Sequence, residues 1–218
     1  MKLGILSESP ADEAALGVLA EAVLGRPFTR VMPGLRARGW PSVIQVMPAI
    51  LRHLHFNTDA EGLIVVVDSD DSVVHTEEHE APGYYHPHCR MCQLRAVFRK
   101  TVKNLPLDGK RKLRLQRAVG IAVPALEAWY LCGHARDADV TEAAWTRGLE
   151  KEKQPYTRAQ LKYRVYGTER PWLELETQRA LEEVRRHAKD LRRLENDFPS
   201  FAKLSRDLRG WALEKRSE

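Results

Sequence analysis

Cysteine is scarce in this sequence, which has three cysteines among its 218 residues. A small, odd number of cysteines excludes a framework of disulfide bonds, the usual staple of small secreted domains. No apolar run is long enough to form a transmembrane helix, and the first residues lead straight into a strand-like segment instead of a signal peptide. Since internal repeats and low-complexity tracts are also missing, we expect a globular cytoplasmic protein with no membrane partner.

Acidic and basic residues are unevenly distributed along the chain, although the net charge is only +5. Residues 1–89 contain 6 Lys and Arg against 12 Asp and Glu, whereas residues 90–117 contain 10 against 1. An acidic part of the chain is thus followed by a strongly basic segment. This order suits a site in which carboxylates bind a metal ion and basic side chains attract a polyanion such as nucleic acid.

The apolar run 63–67 is followed by three aspartates, Asp68, Asp70 and Asp71. Five apolar residues, four of them β-branched, indicate a strand that is buried on both faces of a parallel sheet. Ligands of open α/β sheets bind beyond the carboxyl ends of the strands, where these aspartates should lie. Asp68 and Asp70 can converge there on one hard cation such as Mg²⁺ or Mn²⁺. An acidic, solvated turn after a strand is the simpler alternative.

The order of apolar patterns predicts an α/β fold with an open, mostly parallel sheet, helices on both of its faces and a C-terminal helical extension. Strands and helices alternate within residues 1–133, which we interpret as one α/β domain, and residues 134–218 are predicted to be helices packed on it. The predicted strands are 2–7, 28–32, 63–67 and 113–123, and the predicted helices are 10–24, 40–54, 90–104, 124–132, 138–150, 157–165, 174–194 and 198–211.

The basic segment is predicted to begin with a helix that has a positively charged stripe. Arg95, Arg99 and Lys103 recur at four-residue intervals, on a different face from the apolar residues of the same helix. Such a stripe can neutralise several backbone phosphates without reading the base sequence. An ordinary solvated face is the alternative, but it would need more acidic neighbours than this segment has. The stripe is extended by Lys110, Arg111 and Lys112.

A group of histidines and cysteines has spacings that occur in zinc sites. No second Cys-x-x-Cys or His pair follows it, and Cys92 is also well placed on the apolar face of the predicted helix. A structural Zn²⁺ is therefore one expectation. The alternatives are core packing of Cys92 and, for His86 or His88, an approach to a phosphate from a mobile loop. The candidate zinc ligands are His86, His88, Cys89 and Cys92, with His75 and His79 upstream.

Glu8 falls at the end of the first predicted strand, so a parallel sheet places it at the same edge as Asp68 and Asp70. A glutamate in the first strand–helix turn, with Asp-x-Asp after a hydrophobic third strand, resembles the TOPRIM domain of topoisomerases, primases and overcoming-lysogenization-defect nucleases. The blocks 120–131 and 197–208 resemble the stand-alone TOPRIM-like proteins of bacteria, which are often encoded beside an ATPase in phage-defence loci. The turn reads Ser-Glu-Ser-Pro here, where better-known members have a glycine-rich Glu-Gly turn.

This resemblance implies a metal-dependent nuclease that cleaves the phosphodiester bonds of nucleic acid, in phage defence and with a partner ATPase. Its metal ligands would be Asp68 and Asp70, with Asp71 acting through water and Glu127 as a further ligand. Glu8 would be a ligand or a general base. The bound Mg²⁺ or Mn²⁺ would activate a water and stabilise charge on the phosphate. For Glu127, a first-turn glutamate that complements the helix dipole is the alternative.

Two other functions stay open at this point. A non-catalytic subunit with the same fold would bind nucleic acid or the ATPase and use its carboxylates structurally. A nucleotide-sugar transferase also has Asp-x-Asp after a hydrophobic strand, but it would need neither Glu8 nor the basic segment. The sequence does not distinguish DNA from RNA as the substrate, and an exposed helical tail would suit a homodimer.

Overall fold

Four parallel strands form the centre of the protein in the computed structural model, which describes residues 1–32, 34–106 and 115–214. The strands are β1 Lys2–Leu6, β2 Thr29–Val31, β3 Gly62–Asp68 and β4 Gln116–Ala122, and they lie in the order β2-β1-β3-β4. Every neighbouring pair is parallel, so all four carboxyl ends face the same edge of the sheet. The predicted open parallel sheet is confirmed.

Nine α-helices surround the sheet in the described part of the chain. They are α1 Pro10–Leu24, α2 Trp40–Asn57, α3 Arg90–Lys103, α4 Leu126–Leu131, α5 Glu142–Glu150, α6 Arg158–Tyr166, α7 Leu173–His187, α8 Arg192–Asp197 and α9 Pro199–Glu214. Helices α2 and α3 pack together on one face, and α1 and α9 pack on the other, with α7 against α1. Within the described residues, no helix combines the length and apolarity needed to cross a bilayer.

Strand β3 is the central element of the fold. All seven of its residues are buried, and it pairs with β1 on one side and with β4 along its whole length on the other. An unbroken run of apolar side chains suits this position, because helices cover both faces of the sheet and no residue needs to face water. The predicted buried strand at 63–67 is therefore confirmed.

The alternating residues of β1 show which helices cover each face. A Cβ at Gly4 would lie 2.8 Å from Cδ1 of Leu54, so this residue faces α2. Ile5 points to the other face, where its Cδ1 would lie 3.7 Å from a Cβ at Gly17 of α1. Glycine at position 4 therefore allows α2 to approach the sheet closely, and the prediction of helices on both faces is confirmed.

The C-terminal helices belong to the same core as the sheet. A Cβ at Gly120 of β4 would lie 3.3 Å from Cδ2 of Leu204 of α9. The ring of Phe201, also in α9, contacts the ring of Trp129 edge to face, with 5.2 Å between the centroids. Helix α9 thus covers β4.

The prediction of one continuous helix over 174–194 is wrong, because the chain forms two helices there. Helix α7 ends at His187 and α8 begins at Arg192. Between them, the carboxylate of Asp190 accepts hydrogen bonds from the backbone N–H of Arg192 at 3.0 Å and from its guanidinium. Aspartate favours such local side-chain bonds over the continued helical ladder, which explains the break.

Two other predicted boundaries differ from the structure. The helix predicted from residue 138 begins at Glu142, because the side chain of Thr141 caps it by accepting a hydrogen bond from Ala144 N–H. The strand predicted over 113–123 is seen as β4, and its first two predicted residues lie outside the described residues. Neither difference moves a residue of the candidate site.

We predict that truncating Phe201 will destabilise the whole protein and not only its C-terminal part. Phe201 is buried against Trp129, so Phe201→Ala should lower the free energy of unfolding by about 3–5 kcal/mol. Tyr163→Ala removes a ring that is 61% exposed and should cost less than about 1 kcal/mol. Urea unfolding, followed by circular dichroism and tryptophan fluorescence, measures both. Two separate transitions in the wild type would contradict a shared core.

Candidate functional site

The carboxylates of Glu8, Asp68 and Asp70 lie at the same edge of the sheet. Glu8 follows β1, and its Oε1 accepts a hydrogen bond of 3.0 Å from the backbone N–H of Asp68, the last residue of β3. Beside it, the hydroxyl of Ser7 donates to the carbonyl of Val66 at 2.7 Å, which holds the turn after β1 against β3. The parallel sheet thus brings together three residues that the sequence placed in one site.

The turn after β3 is held by the residues that follow β4. The backbone N–H of Asp70 donates to the carbonyl of Pro124 at 3.0 Å, and Oδ1 of Asp68 accepts from the N–H of Leu126 at 3.0 Å. Asp70 has a φ of 47°, a left-handed conformation that is uncommon outside glycine and that is often found at functional sites. Since Asp68 is only 7% exposed, a freely solvated turn does not describe this segment.

Two arginines that the sequence analysis did not single out complete this part of the site. Arg158 of α6 donates hydrogen bonds to the carboxylates of both Asp68 and Asp70. Arg90, the first residue of α3, donates to the carbonyl of Asp68 at 2.6 Å and pairs with Oδ2 of Asp70 at 2.7 Å. Its guanidinium lies 5.0 Å above the ring of Trp40, a cation–π contact. No local pattern marks either arginine, because each reaches the aspartates from a different helix.

Further acids lie beside these residues. Asp12 in the first turn of α1, Glu127 in α4 and Glu176 in α7 are close enough to influence one another electrostatically. Burial, and then repulsion by Glu127, raises the pKa of Asp12 to about 8. The same two causes raise the pKa of Asp68 well above its usual range, although the charge of Arg158 acts in the opposite direction. Glu127 is buried and takes part in this repulsion, as well as lying in a first helical turn.

The acids of this site outnumber its bases. Burial raises the pKa of Glu8 as well, and the charge of Asp70 adds to that effect. Excess negative charge of this kind is offset when a divalent cation binds. We call the six acids the carboxylate cluster: Glu8, Asp12, Asp68, Asp70, Glu127 and Glu176. The bases beside it are Arg90, Arg158 and Lys162, the last 4.0 Å from Glu176.

The carboxylate cluster is not preassembled around a single ion. Arg158 bridges Asp68 and Asp70, so a cation would have to replace its guanidinium there. Asp71 is exposed at the surface and extends the cluster only at its rim. In the described parts of the chain, one group of His, Cys, Asp or Glu ligand atoms lies within 4.8 Å of one another, and it is a different one. This His/Cys cluster consists of His75, His79, Cys89 and Cys92.

The His/Cys cluster differs from the predicted ligand set in its histidines. Cys89 and Cys92 belong to it, whereas His86 and His88 do not. The ring of His86 stacks on that of His79 with 5.2 Å between the centroids, and His88 is exposed. The upstream histidines enter the cluster because the loop between β3 and α3 folds back over the start of α3.

The residues predicted to bind nucleic acid fall into three groups. Arg95 pairs with Glu80 at 2.6 Å and so faces the loop before α3. Arg99 and Lys103 are exposed and line a surface groove with Arg117 of β4. Burial, and then the charge of Arg95, lowers the pKa of Arg117, and such crowded positive charge favours an anion. The third group lies outside the described residues: Lys110, Arg111 and Lys112.

Comparison of the chain with protein-family models, curated proteins and solved structures gave no match.

The raised pKa of Asp12 predicts that the protein becomes less stable as the pH rises. A carboxyl group with a higher pKa in the folded chain than in the unfolded chain stabilises the fold fully at low pH. That contribution is lost between the ordinary value of 3.8 and about 8. We expect Asp12→Asn to flatten the fall in Tm between about pH 5 and pH 8, measured by thermal unfolding without added divalent cations. The exposed Asp71→Asn should keep the wild-type slope, and a wild-type slope in Asp12→Asn would contradict the explanation.

Proposed function

We propose that this protein is a divalent-metal-dependent nuclease of the TOPRIM-like type, which hydrolyses phosphodiester bonds of nucleic acid at the carboxylate cluster. The observation that carries the proposal is the convergence of Glu8, Asp68 and Asp70 at the carboxyl edge of a parallel sheet. Ligands bind at this edge in open α/β sheets, and carboxyl groups with raised pKa values, such as Glu8 and Asp68, are concentrated at functional sites. Action in phage defence with a partner ATPase belongs to the proposal through the sequence resemblance alone.

The donor atoms of the cluster fit a hard divalent cation. Asp68 and Asp70 would hold Mg²⁺ or Mn²⁺, ions that prefer carboxylate oxygen. When bound, such an ion activates a water and stabilises charge on the phosphate. Glu127 acts on Asp68 from α4, and the exposed Asp71 would reach the site through water.

Arg158 and Arg90 would bind a phosphate of the substrate in addition to pairing with the aspartates. In the structure, their guanidinium groups balance the charges of Asp68 and Asp70. Guanidinium groups also bind phosphate oxygens with paired N–H donors. The side chain of Arg158 is 39% exposed, so it can turn from the aspartates to a phosphate once another positive charge compensates them.

Glu8 is suited to a role in proton transfer. Burial raises its pKa, and a general base works best when its pKa lies near the working pH. Its Oε1 is held by the N–H of Asp68, which fixes the carboxylate beside the two aspartates. We assign Glu8 the function of accepting a proton from the attacking water, within the same proposal.

Helix α3 connects the carboxylate cluster with the basic groove. It begins at Arg90 beside Asp70 and ends at Lys103, and its 14 residues extend over roughly 20 Å. Each strand of duplex DNA has one phosphate per roughly 3.4 Å of helix axis, so this length corresponds to roughly six phosphates of one strand along the duplex axis. A nucleic acid lying along α3 would contact Arg99 and Lys103 while one of its phosphates lay at the cluster. Such contacts position the backbone without reading sequence.

A non-catalytic subunit is the second candidate, and one specific observation favours it. Arg158 already bridges Asp68 and Asp70, and an ion pair of this kind can serve the fold without any catalytic role. The nuclease should bind nucleic acid at the basic groove, whereas the non-catalytic subunit would bind nucleic acid or the ATPase. They differ in whether binding is followed by metal-dependent cleavage.

We predict that the protein cleaves nucleic acid with Mg²⁺ or Mn²⁺ and that Asp68→Asn abolishes cleavage. The substitution keeps the shape of the side chain and removes the charge that would hold the ion. The loss should be about a hundredfold or more, the scale seen when a single charge-stabilising group is removed from an active site. Plasmid DNA, single-stranded DNA and total tRNA should be tested separately, so that the substrate class is identified in the same experiment.

Glu150→Gln is the control for this assay, because it removes an exposed carboxylate of α5 that does not belong to the carboxylate cluster. It should retain most of the cleavage. Equal activity of Asp68→Asn and the wild type would contradict the proposal. Absence of cleavage by the wild type, together with retained binding of nucleic acid, would favour the non-catalytic subunit.

A further prediction concerns the salt dependence of nucleic-acid binding. Replacing Arg99 and Lys103 together with alanine should weaken binding of DNA and reduce the slope of log K against log salt by roughly two, about 0.9 for each lost phosphate contact. Fluorescence anisotropy at several salt concentrations measures the slope. Replacing Arg192, a fully exposed arginine of α8, is the control and should leave the slope unchanged. The same slope in the double variant and the wild type would exclude this face as the binding site.

A further inference from the structure

The His/Cys cluster is compact and buried. Nδ1 of His75 lies 3.4 Å from Sγ of Cys89 and 3.8 Å from Sγ of Cys92. The ring of His79 meets that of His75 edge to face, with an angle of 74° between the ring planes and 5.2 Å between the centroids. His79 and both cysteines are buried, and His75 is partly buried. Four side chains from two separate segments thus direct their ligand atoms at one small volume.

The separations match those between ligands of tetrahedral zinc. With Zn–S bonds of roughly 2.3 Å and Zn–N bonds of roughly 2.0–2.1 Å, the nitrogen and sulfur atoms of such a site are roughly 3.5 Å apart. The two His75–cysteine distances lie on either side of that value. Two imidazoles and two thiolates form one of the commonest ligand sets of structural zinc.

The contact between His75 and Glu80 is a second, independent observation that indicates a metal site. Its Nε2 contacts Oε1 of Glu80 at 2.6 Å, so that Nδ1 is left to face the cysteines. Histidines that bind a metal through one ring nitrogen commonly donate the other N–H to a carboxylate in this way. Glu80 is itself fixed by Arg95 at 2.6 Å and by Lys203 of α9 at 2.5 Å. The carboxylate is therefore anchored from two other helices.

The cluster also contains one buried nitrogen with no hydrogen-bond partner in the described part of the chain. It is Nδ1 of His79, and an unsatisfied buried polar atom is costly in a protein interior. A bound metal ion would satisfy the nitrogen and stabilise the thiolates together.

We propose that His75, His79, Cys89 and Cys92 bind one zinc ion that has a structural role. Four protein ligands complete the coordination of zinc and leave no position for water, which is the mark of a structural rather than a catalytic site. The ion would fasten the loop that follows β3 to the first turn of α3.

A zinc ion at this position would also affect the carboxylate cluster. Cys89 directly precedes Arg90, whose guanidinium pairs with Asp70 and donates to the carbonyl of Asp68. The zinc ion would therefore fix the start of α3 at the place from which Arg90 reaches the aspartates. The zinc site does not depend on the proposed nuclease activity, because its ligands are separate from the carboxylate cluster.

Metal content and cobalt spectroscopy test the site directly. The full-length protein, purified without chelators, should contain one zinc per chain by mass spectrometry of metals. Protein stripped of zinc and loaded with Co²⁺ should show the visible bands of tetrahedral cobalt and a thiolate-to-cobalt charge-transfer band of the strength given by two sulfur ligands. Cys89→Ser and Cys92→Ser should each lose the metal, whereas His86→Ala, His88→Ala and Cys132→Ser should keep it.

Glu80→Gln provides a graded variant for the case in which the cysteine variants do not fold. It leaves the four ligands in place and should weaken zinc binding by roughly ten- to a hundredfold in a chelator competition, the usual effect of removing a carboxylate behind a ligating histidine. Wild-type protein without zinc and without a tetrahedral cobalt spectrum would overturn the proposal. So would a metal that is retained by Cys89→Ser and lost by His86→Ala, or a Cys89–Cys92 disulfide found by mass spectrometry in protein purified anaerobically.

Discussion

The repulsion among buried carboxylates at the carboxyl edge of the sheet is the constraint on which the rest of the site depends. Asp68 ends the central strand, where its carboxylate is almost removed from water and lies near Glu8 and Glu127. Such a group raises the free energy of the folded chain unless protons or positive charges compensate it. The structure supplies Arg158 and Arg90 for this purpose, and both arrive from helices outside the sheet.

The same constraint links the candidate site to the rest of the fold. Arg158 belongs to α6 in the C-terminal helical part, so the carboxylate cluster draws on both halves of the chain. Arg90 begins α3, which continues to the basic groove and starts beside the His/Cys cluster. These contacts form one connected set. A metal ion at the aspartates, a phosphate on the arginines or a zinc ion at the start of α3 would each act on this set.

Much of this arrangement could be predicted from local sequence patterns. An unbroken run of β-branched residues indicates a strand in the middle of a parallel sheet, and the topology then places Glu8 beside Asp68. Arg158 could not be found in this way, because its contact with Asp68 depends on how α6 packs and not on any nearby spacing. For a similar reason, the sequence does not show that His79 and not His86 joins the two cysteines. The spacing of Cys and His in sequence does not reveal how a loop folds back.

Binding of Mn²⁺ to zinc-saturated protein tests most directly whether the carboxylate cluster is a metal site. Electron paramagnetic resonance measures free Mn²⁺ in a titration, and saturation with zinc keeps the His/Cys cluster from contributing. We expect the wild type and Glu150→Gln, which changes an exposed carboxylate outside the cluster, to bind Mn²⁺ alike. Asp68→Asn should bind it at least about tenfold more weakly because a charged oxygen ligand is lost. Equal binding by all three proteins, or no binding by the wild type, would contradict the account.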